Sequence, residues 1–167
     1  MLNKLKKLQQ QKSSEGFTII EVMIVLAIAG LIILIVLLAV PALQRNGRNT
    51  AIKNDASAVA SSITTFAADN DGKTPAVADF AQVGSTLTVG AATTSQSEAK
   101  VQGGTTVTTP AVAVTPATAI TPGTIVIVKG RDCSDKASGR AFAIWYSIET
   151  SKAVPAAAPF NNKCIDT

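Results

Sequence analysis

The sequence predicts an α+β fold in which a long N-terminal α-helix, membrane-spanning in its first half, packs on a small antiparallel β-sheet. Residues 22–40 form a run of nineteen residues without a charge, which is long enough to cross a bilayer as one helix. An apolar stripe with helical spacing then runs from Ile52 to Ala67. Near the C-terminus, two short segments rich in β-branched and aromatic residues are typical of strands.

A basic leader precedes the apolar run, and one carboxylate lies near the start of the run. Gly16 and Phe17 follow the leader, and Glu21 lies about 6 Å along the helix axis from the Phe17 nitrogen. A carboxylate at the centre of a spanning helix costs roughly 2.5–3.5 kcal/mol on insertion scales. Near the end of the helix Glu21 can reach the bilayer headgroups, but in a dry bundle of such helices it needs a cation. The leader lysines are Lys4, Lys6, Lys7 and Lys12.

This combination of leader, glycine, phenylalanine and lone carboxylate resembles the N-terminus of type IV pilin and pseudopilin precursors, from Gly16 to about Ala68. The resemblance implies that a prepilin peptidase cuts the Gly16–Phe17 bond and that Phe17 becomes N-methylated. It also implies that Glu21 pairs with the terminal amine of a neighbouring subunit, the one cation that cleavage would add to the helix. Residues 1–16 would then be a leader peptide, and residues 17–41 a transmembrane helix that later forms a filament core.

The resemblance further implies a structural subunit of a type IV pilus that serves adhesion, twitching motility or DNA uptake. Its partners would be the peptidase, the inner-membrane assembly machinery and further copies of itself in a helical filament. The precursor would cross the inner membrane once, and the assembled pilus would be extracellular. Two alternatives stay open: a pseudopilin of a type II secretion or competence machine, and a single-span membrane anchor of an exported binding domain.

An ordinary secretory signal peptide is a competing interpretation of the same N-terminus. Residues 17–26 would be its apolar region and residues 27–29, Ala-Ile-Ala, its cleavage site. Cleavage there would leave eleven apolar residues exposed at the new terminus, and Glu21 would lie inside the apolar region. The sequence therefore favours cleavage at Gly16.

The composition argues against an enzyme. Histidine is absent, and the chain has no phosphate-binding glycine loop, dinucleotide fingerprint or Ser/His/Asp set. Two cysteines without histidine exclude a Cys/His metal cluster, so no cofactor or metal is expected. The leader contains four of the fifteen basic residues and one of the eleven acidic residues, so the remaining chain has a net charge of +1. DNA as a partner therefore has no support in the charge pattern.

Residues 42–70 are expected to form the amphipathic half of the helix, with the apolar stripe facing the core of its own domain. Residues 69–72, Asp-Asn-Asp-Gly, are better explained as a helix-ending turn than as a calcium loop, because the alternating ligand spacing is missing. The polar face is expected to hold Asp55, Ser57, Ser61, Ser62 and Thr65.

Residues 71–123 are rich in Ala, Thr and Pro and are expected to form a variable loop region, with edge strands at Thr86–Val89 and residues 105–108. Residues 124–167 are expected to hold the sheet and a C-terminal loop. Within them, residues 124–129 and 140–149 predict an antiparallel pair whose apolar face packs on the helix stripe.

Cys133 and Cys164 are an even count in a domain expected to face an oxidising exterior. Their pairing resembles the C-terminal disulfide loop of type IV pilins, which braces the exposed end of the subunit. A bridge would close about thirty residues and contribute about 3.5–4 kcal/mol in the loop-entropy account. Free buried thiols are the alternative.

Overall fold

The structure is a computed structural model that describes residues 16–109, 119–149 and 161–167. The expected leader lies outside the described residues except for Gly16. The contacts divide the chain into two units, Met1–Pro41 and Ala42–Thr167. Each unit is described by itself below.

The described part of the chain contains one long helix, seven strands and a short 3-10 helix at Val77–Asp79. The helix α1 spans Ile19–Asp69 and continues through Pro41. This agrees with the long N-terminal helix that the sequence predicts. The strands are β1 (Phe80–Val83), β2 (Thr86–Val89), β3 (Ser97–Lys100), β4 (Thr106–Thr108), β5 (Thr124–Arg131), β6 (Ala137–Ser147) and β7 (Asn162–Asp166).

In the first unit, α1 is apolar on every side. Every residue from 16 to 41 is exposed, including the large aliphatic side chains. By length and composition this helix could cross a membrane. A helix that is apolar all round is stable only when lipid or other helices cover it, so this segment requires a partner outside its own unit.

In the second unit, α1 buries one face in the core of the unit. Ile52, Ala56, Val59, Ile63 and Phe66 are each at most 5% exposed, which confirms the apolar stripe expected from the sequence. The helix ends in a turn in which Asp71 has φ of 56° and Gly72 has φ of 74°. The interpretation of residues 69–72 as a helix-ending turn is therefore confirmed.

Asp55 and Ser62 are buried, so their expected place on the polar face is wrong. One carboxylate oxygen of Asp55 accepts hydrogen bonds from the Gln102 backbone N–H at 3.0 Å and the Thr105 hydroxyl at 2.7 Å. The carbonyl of Ser62 accepts a hydrogen bond from the hydroxyl of Ser97 in β3. Polar groups tolerate burial when they are hydrogen-bonded in this way.

The seven strands form two sheets with orders β1-β2-β3 and β4-β5-β6-β7. All neighbouring strands are antiparallel except β4 and β5, which are parallel. The described part of residues 71–123, expected as a loop region, thus contains four strands. The expected strand at Thr86–Val89 exists, but it is the central strand of its sheet rather than an edge. The other expected edge strand exists as β4, and it does lie at an edge.

Gln82 of β1 connects the two sheets. Its side-chain nitrogen donates a hydrogen bond to the Thr105 carbonyl at 2.6 Å, and its side-chain oxygen accepts one from the Val107 N–H at 2.7 Å. A further strand that paired with the edge of β4 would hydrogen-bond to backbone N–H and carbonyl groups of this kind. The Gln82 amide therefore replaces a strand partner at this edge.

The antiparallel pair β5–β6 packs on α1, as predicted. One core cluster unites the buried face of α1 with β2, β3, β5 and β6. A second cluster, which was not predicted, involves the alternate residues of β5 and β6. It contains Ile120, Val126, Val128, Ala143 and Trp145. β7 was not predicted either; it pairs with β6 from Ala143–Asp166 to Ser147–Asn162.

Gly90, directly after β2, lies against the ring of Phe66. A Cβ atom at Gly90 would lie 2.7 Å from Phe66 Cε2, and the backbone there has φ of 119°. Real Cβ contacts are longer than this, and residues with a side chain rarely adopt such a φ. Only glycine allows the helix to approach the sheet this closely.

We expect Gly90→Ala to lower the free energy of unfolding by about 1–3 kcal/mol, because it combines overpacking with backbone strain. Thermal unfolding of the detergent-solubilised protein, followed by circular dichroism, measures the effect. Gly84→Ala is the control, since Gly84 also has positive φ but has no atom within 4 Å of its would-be Cβ. Equal losses for the two variants would show that the Phe66 contact does not matter.

Candidate functional site

The predicted processing bond lies in an accessible segment before α1. Gly16, Phe17 and Thr18 have no regular secondary structure and are exposed, and Phe17 is 86% exposed. No atom lies within 4 Å of the position where a Cβ would stand on Gly16. A protease could reach this bond without unfolding a helix.

Thr18 and Glu21 form a capping box at the start of α1. The Glu21 N–H donates to the Thr18 hydroxyl oxygen at 3.3 Å, and Glu21 Oε2 accepts from the Thr18 N–H at 3.4 Å. The Thr18 hydroxyl also lies 3.2 Å from the same carboxylate oxygen. A capping box satisfies backbone N–H groups that the first helical turn leaves unpaired, and the helix dipole favours an acidic residue there.

This cap was not predicted, although its Thr-x-x-Glu signature is readable in the sequence. The signature gives Glu21 a role within its own subunit. Only Oε2 takes part: Oε1 makes no hydrogen bond with any residue that the structure describes. One oxygen of the carboxylate thus supports the helix start, while the other stays available to an external donor.

The family model described as the prokaryotic N-terminal methylation motif matches residues 11–37. The chain carries a prokaryotic N-terminal methylation motif. This motif is characteristic of type IV pilins and pseudopilins, so the resemblance to their precursors is confirmed over residues 11–37. No curated protein and no solved structure matches the chain.

The motif supports a prepilin of the pilin or pseudopilin kind and implies processing by a prepilin peptidase. It contains three predicted site residues, Gly16, Phe17 and Glu21. Together with the apolar helix, it is consistent with a precursor that crosses the inner membrane once. The other predicted site residues, Cys133 and Cys164, belong to the second unit.

Cys133 and Cys164 form a disulfide in the structure, with Cα atoms 5.8 Å apart. Cys133 lies in the connection between β5 and β6, and Cys164 lies in β7. The Asp166 carboxylate accepts a hydrogen bond from the Cys133 N–H beside the bridge. Although the two sulfurs and this carboxylate lie close together, a disulfide offers no thiolate for a metal. The bridge instead holds the short strand β7 to the β5–β6 connection.

Arg48 and Asn49 of α1 hold Glu149, two residues beyond the end of β6. Arg48 donates two hydrogen bonds to the Glu149 carboxylate at 2.8 and 2.7 Å. Asn49 exchanges two more with the Glu149 backbone at 2.8 and 2.7 Å. The hydrogen bonds from Arg48 lower the pKa of Glu149 below its usual value of 4.5. These four bonds, which we call the Glu149 clasp, attach α1 to the sheet where the second unit begins.

We expect the Glu149 clasp to make the stability of the second unit depend on pH. A lowered pKa in the folded state means that the unfolded chain takes up the Glu149 proton first as the pH falls. The carboxylate's contribution is therefore complete above about pH 4.5 and is lost progressively below it. The melting temperature of the wild type should fall more between about pH 7 and about pH 3 than that of Glu149→Gln.

Glu98→Gln is the matched control, because Glu98 is an exposed glutamate of β3 outside the clasp. Its pH profile should follow that of the wild type. If Glu149→Gln and the wild type lose the same number of degrees on acidification, the Arg48–Glu149 pair does not contribute to stability.

Proposed function

We propose that this protein is a structural subunit of a type IV pilus. A prepilin peptidase removes residues 1–16, Phe17 is methylated, and the subunit leaves the inner membrane to join a helical filament. The observation that carries the proposal is the methylation motif on a fully exposed apolar helix. Such a helix needs lipid before assembly and other copies of itself afterwards.

Residues 17–41 form the filament core in this proposal, and residues 42–167 form its surface. Burial of apolar helix surface against identical neighbours supplies the cohesion, at roughly 25 cal/mol per Å². Buried ion pairs are weak evidence for stability, so Glu21 acts mainly on register. Its second oxygen, which the cap leaves unused, accepts the terminal amine of a neighbouring subunit.

The disulfide-braced sheet unit favours a surface pilus over a pseudopilin, since an exposed fibre needs a durable outer surface. Adhesion and twitching motility are the activities that follow for such a pilus. A pseudopilin of a type II secretion machine would have the same N-terminus and differ in where its subunits are found. A single-span anchor would keep the Gly16–Phe17 bond.

Processing and export can be tested together by shearing surface material from producing cells and measuring the N-terminus and intact mass of the subunit. We expect a chain that begins at Phe17, is one methyl group heavier than the unmodified chain and is two hydrogens lighter because of the disulfide. A chain that begins at Met1 and occurs only in membranes would support the anchor instead. A processed subunit absent from the sheared fraction would indicate a pseudopilin, and a chain starting at Gly30 a secreted domain.

The two roles of Glu21 can be separated by substitution. Glu21→Gln keeps an oxygen that can accept the capping hydrogen bonds but removes the charge, whereas Thr18→Ala removes the cap but keeps the charge. We expect Glu21→Gln to reduce filament yield strongly while cleavage at Gly16 continues. Thr18→Ala should cost about 0.5–2 kcal/mol of helix stability and leave filaments largely intact. Filament yield in sheared fractions and processing in membranes are both read by immunoblot.

Wild-type filament yield from Glu21→Gln would contradict the register role of the charge. If only Thr18→Ala lowered the filament yield, Glu21 would act in the cap of the helix alone.

A further inference from the structure

A cleft lined by two unpaired lysines lies beside the part of α1 with which the second unit begins. It has a volume of about 410 Å³ and lies between α1 and strands β6 and β7. Lys53 and Lys163, both exposed, line it and form no ion pair with any residue that the structure describes. Asn46, Asn49, Thr50, Tyr146 and Ile148 complete the lining.

Tyr146 adds a largely buried polar side chain to the two surface lysines of this cleft. Tyr146 is only 5% exposed, yet it lines the cleft and makes no hydrogen bond with any described residue. The Tyr146 hydroxyl itself is not fully buried, so it can be reached from the cleft. Burial also raises the pKa of Tyr146, so the phenol stays a hydrogen-bond donor. A hydrogen-bond donor that lines the same cleft as two ammonium groups suits a carboxylate.

Unpaired carboxylates lie at the opposite end of the same unit. Asp69 ends α1 and Asp71 follows in the turn, and both are exposed without an ion pair to any described residue. The C-terminal end of a helix carries partial negative charge, which favours cations and disfavours acids. The last turn of α1 nevertheless contains no basic residue. Lys73 lies nearby in sequence but pairs with neither aspartate.

We propose that the Lys53–Lys163–Tyr146 cleft binds the Asp69–Asp71 turn of a second copy of this chain. The inference rests on the proposed function and adds a second contact to filament assembly, between the second units of neighbouring subunits. Lys53 and Asp69 are sixteen residues apart on α1, about 24 Å along its axis, so one subunit cannot close the contact on itself. A contact between two different surfaces of identical chains propagates from copy to copy, as a filament requires.

Zero-length cross-linking of wild-type filaments tests the contact directly. A carbodiimide joins an amine to a carboxylate only where the two touch, and mass spectrometry of the digested filaments identifies the joined peptides. We expect links from Lys53 or Lys163 to Asp69 or Asp71, which the separation within one subunit assigns to two copies. Filaments in which these lysines react with other carboxylates, or with none, would overturn the proposal.

Charge reversal supplies the second test. Lys53→Glu with Lys163→Glu, and separately Asp69→Lys with Asp71→Asn, should each lower the filament yield severalfold. Asn is used at position 71 because it tolerates the positive φ there. Combining the four substitutions should restore much of the yield, since the two ends again carry opposite charges. Lys100→Glu and Glu98→Lys, on exposed positions of β3 outside both ends, are the matched controls and should assemble normally.

The outcomes separate this contact from the proposed function. If the wild type forms filaments but the combined variant is no better than its parts, the contact is wrong and the pilus assignment stands. If reversal of the lysines lowers the amount of processed subunit in the membrane rather than its assembly, the lysines act before assembly and the proposal is overturned. Absence of wild-type filaments would overturn both. A non-reducing gel that shows the Cys133–Cys164 bridge confirms that each variant is folded.

Discussion

The apolar surface of the first half of α1 is the constraint on which the rest of this protein depends. No residue from 16 to 41 is covered within its own chain as described. Water cannot accept that surface at equilibrium, because each Å² costs roughly 25 cal/mol. The segment therefore has to lie in lipid or against other helices. The second unit has to be stable without its help, and it achieves this with the buried stripe of α1, the Glu149 clasp and the disulfide.

The parts of the fold that could be predicted have strong local signals. The apolar run and the helical stripe are periodic over many residues, so α1 was predicted within two residues at each end. The strands β5 and β6 are rich in β-branched and aromatic side chains, and such segments favour pleated, buried positions. Gly16, Phe17 and Glu21 were recognisable because the order and type of these residues match a known motif.

The parts that were missed depend on partners distant in sequence. β3 and β7 contain Ser-Glu-Ala-Lys and Asn-Lys-Cys-Ile-Asp, which have few β-branched or aromatic residues, and β1 is only four residues long. All three pair because of neighbouring strands. Asp55 was assigned to solvent because its donors lie about fifty residues further along the chain. The second cluster around Trp145 follows from strands that are apolar on both faces, a pattern typical of fully buried strands.

The charges of the second unit divide into those that stabilise the fold and those that it leaves unused. Glu149 is held by Arg48, and Asp55 by a hydroxyl and a backbone N–H. Exposed ion pairs contribute little to a folded monomer, so nothing in the stability of one subunit requires two unpaired lysines beside a buried tyrosine. Nor does it require two aspartates at a helix end that disfavours them. In a polymer the same charges repeat with every subunit, and complementary ends then select one arrangement over others. In the proposed filament, the apolar helix would supply cohesion without direction, and Glu21 together with the leftover charges of the second unit would give the assembly its order.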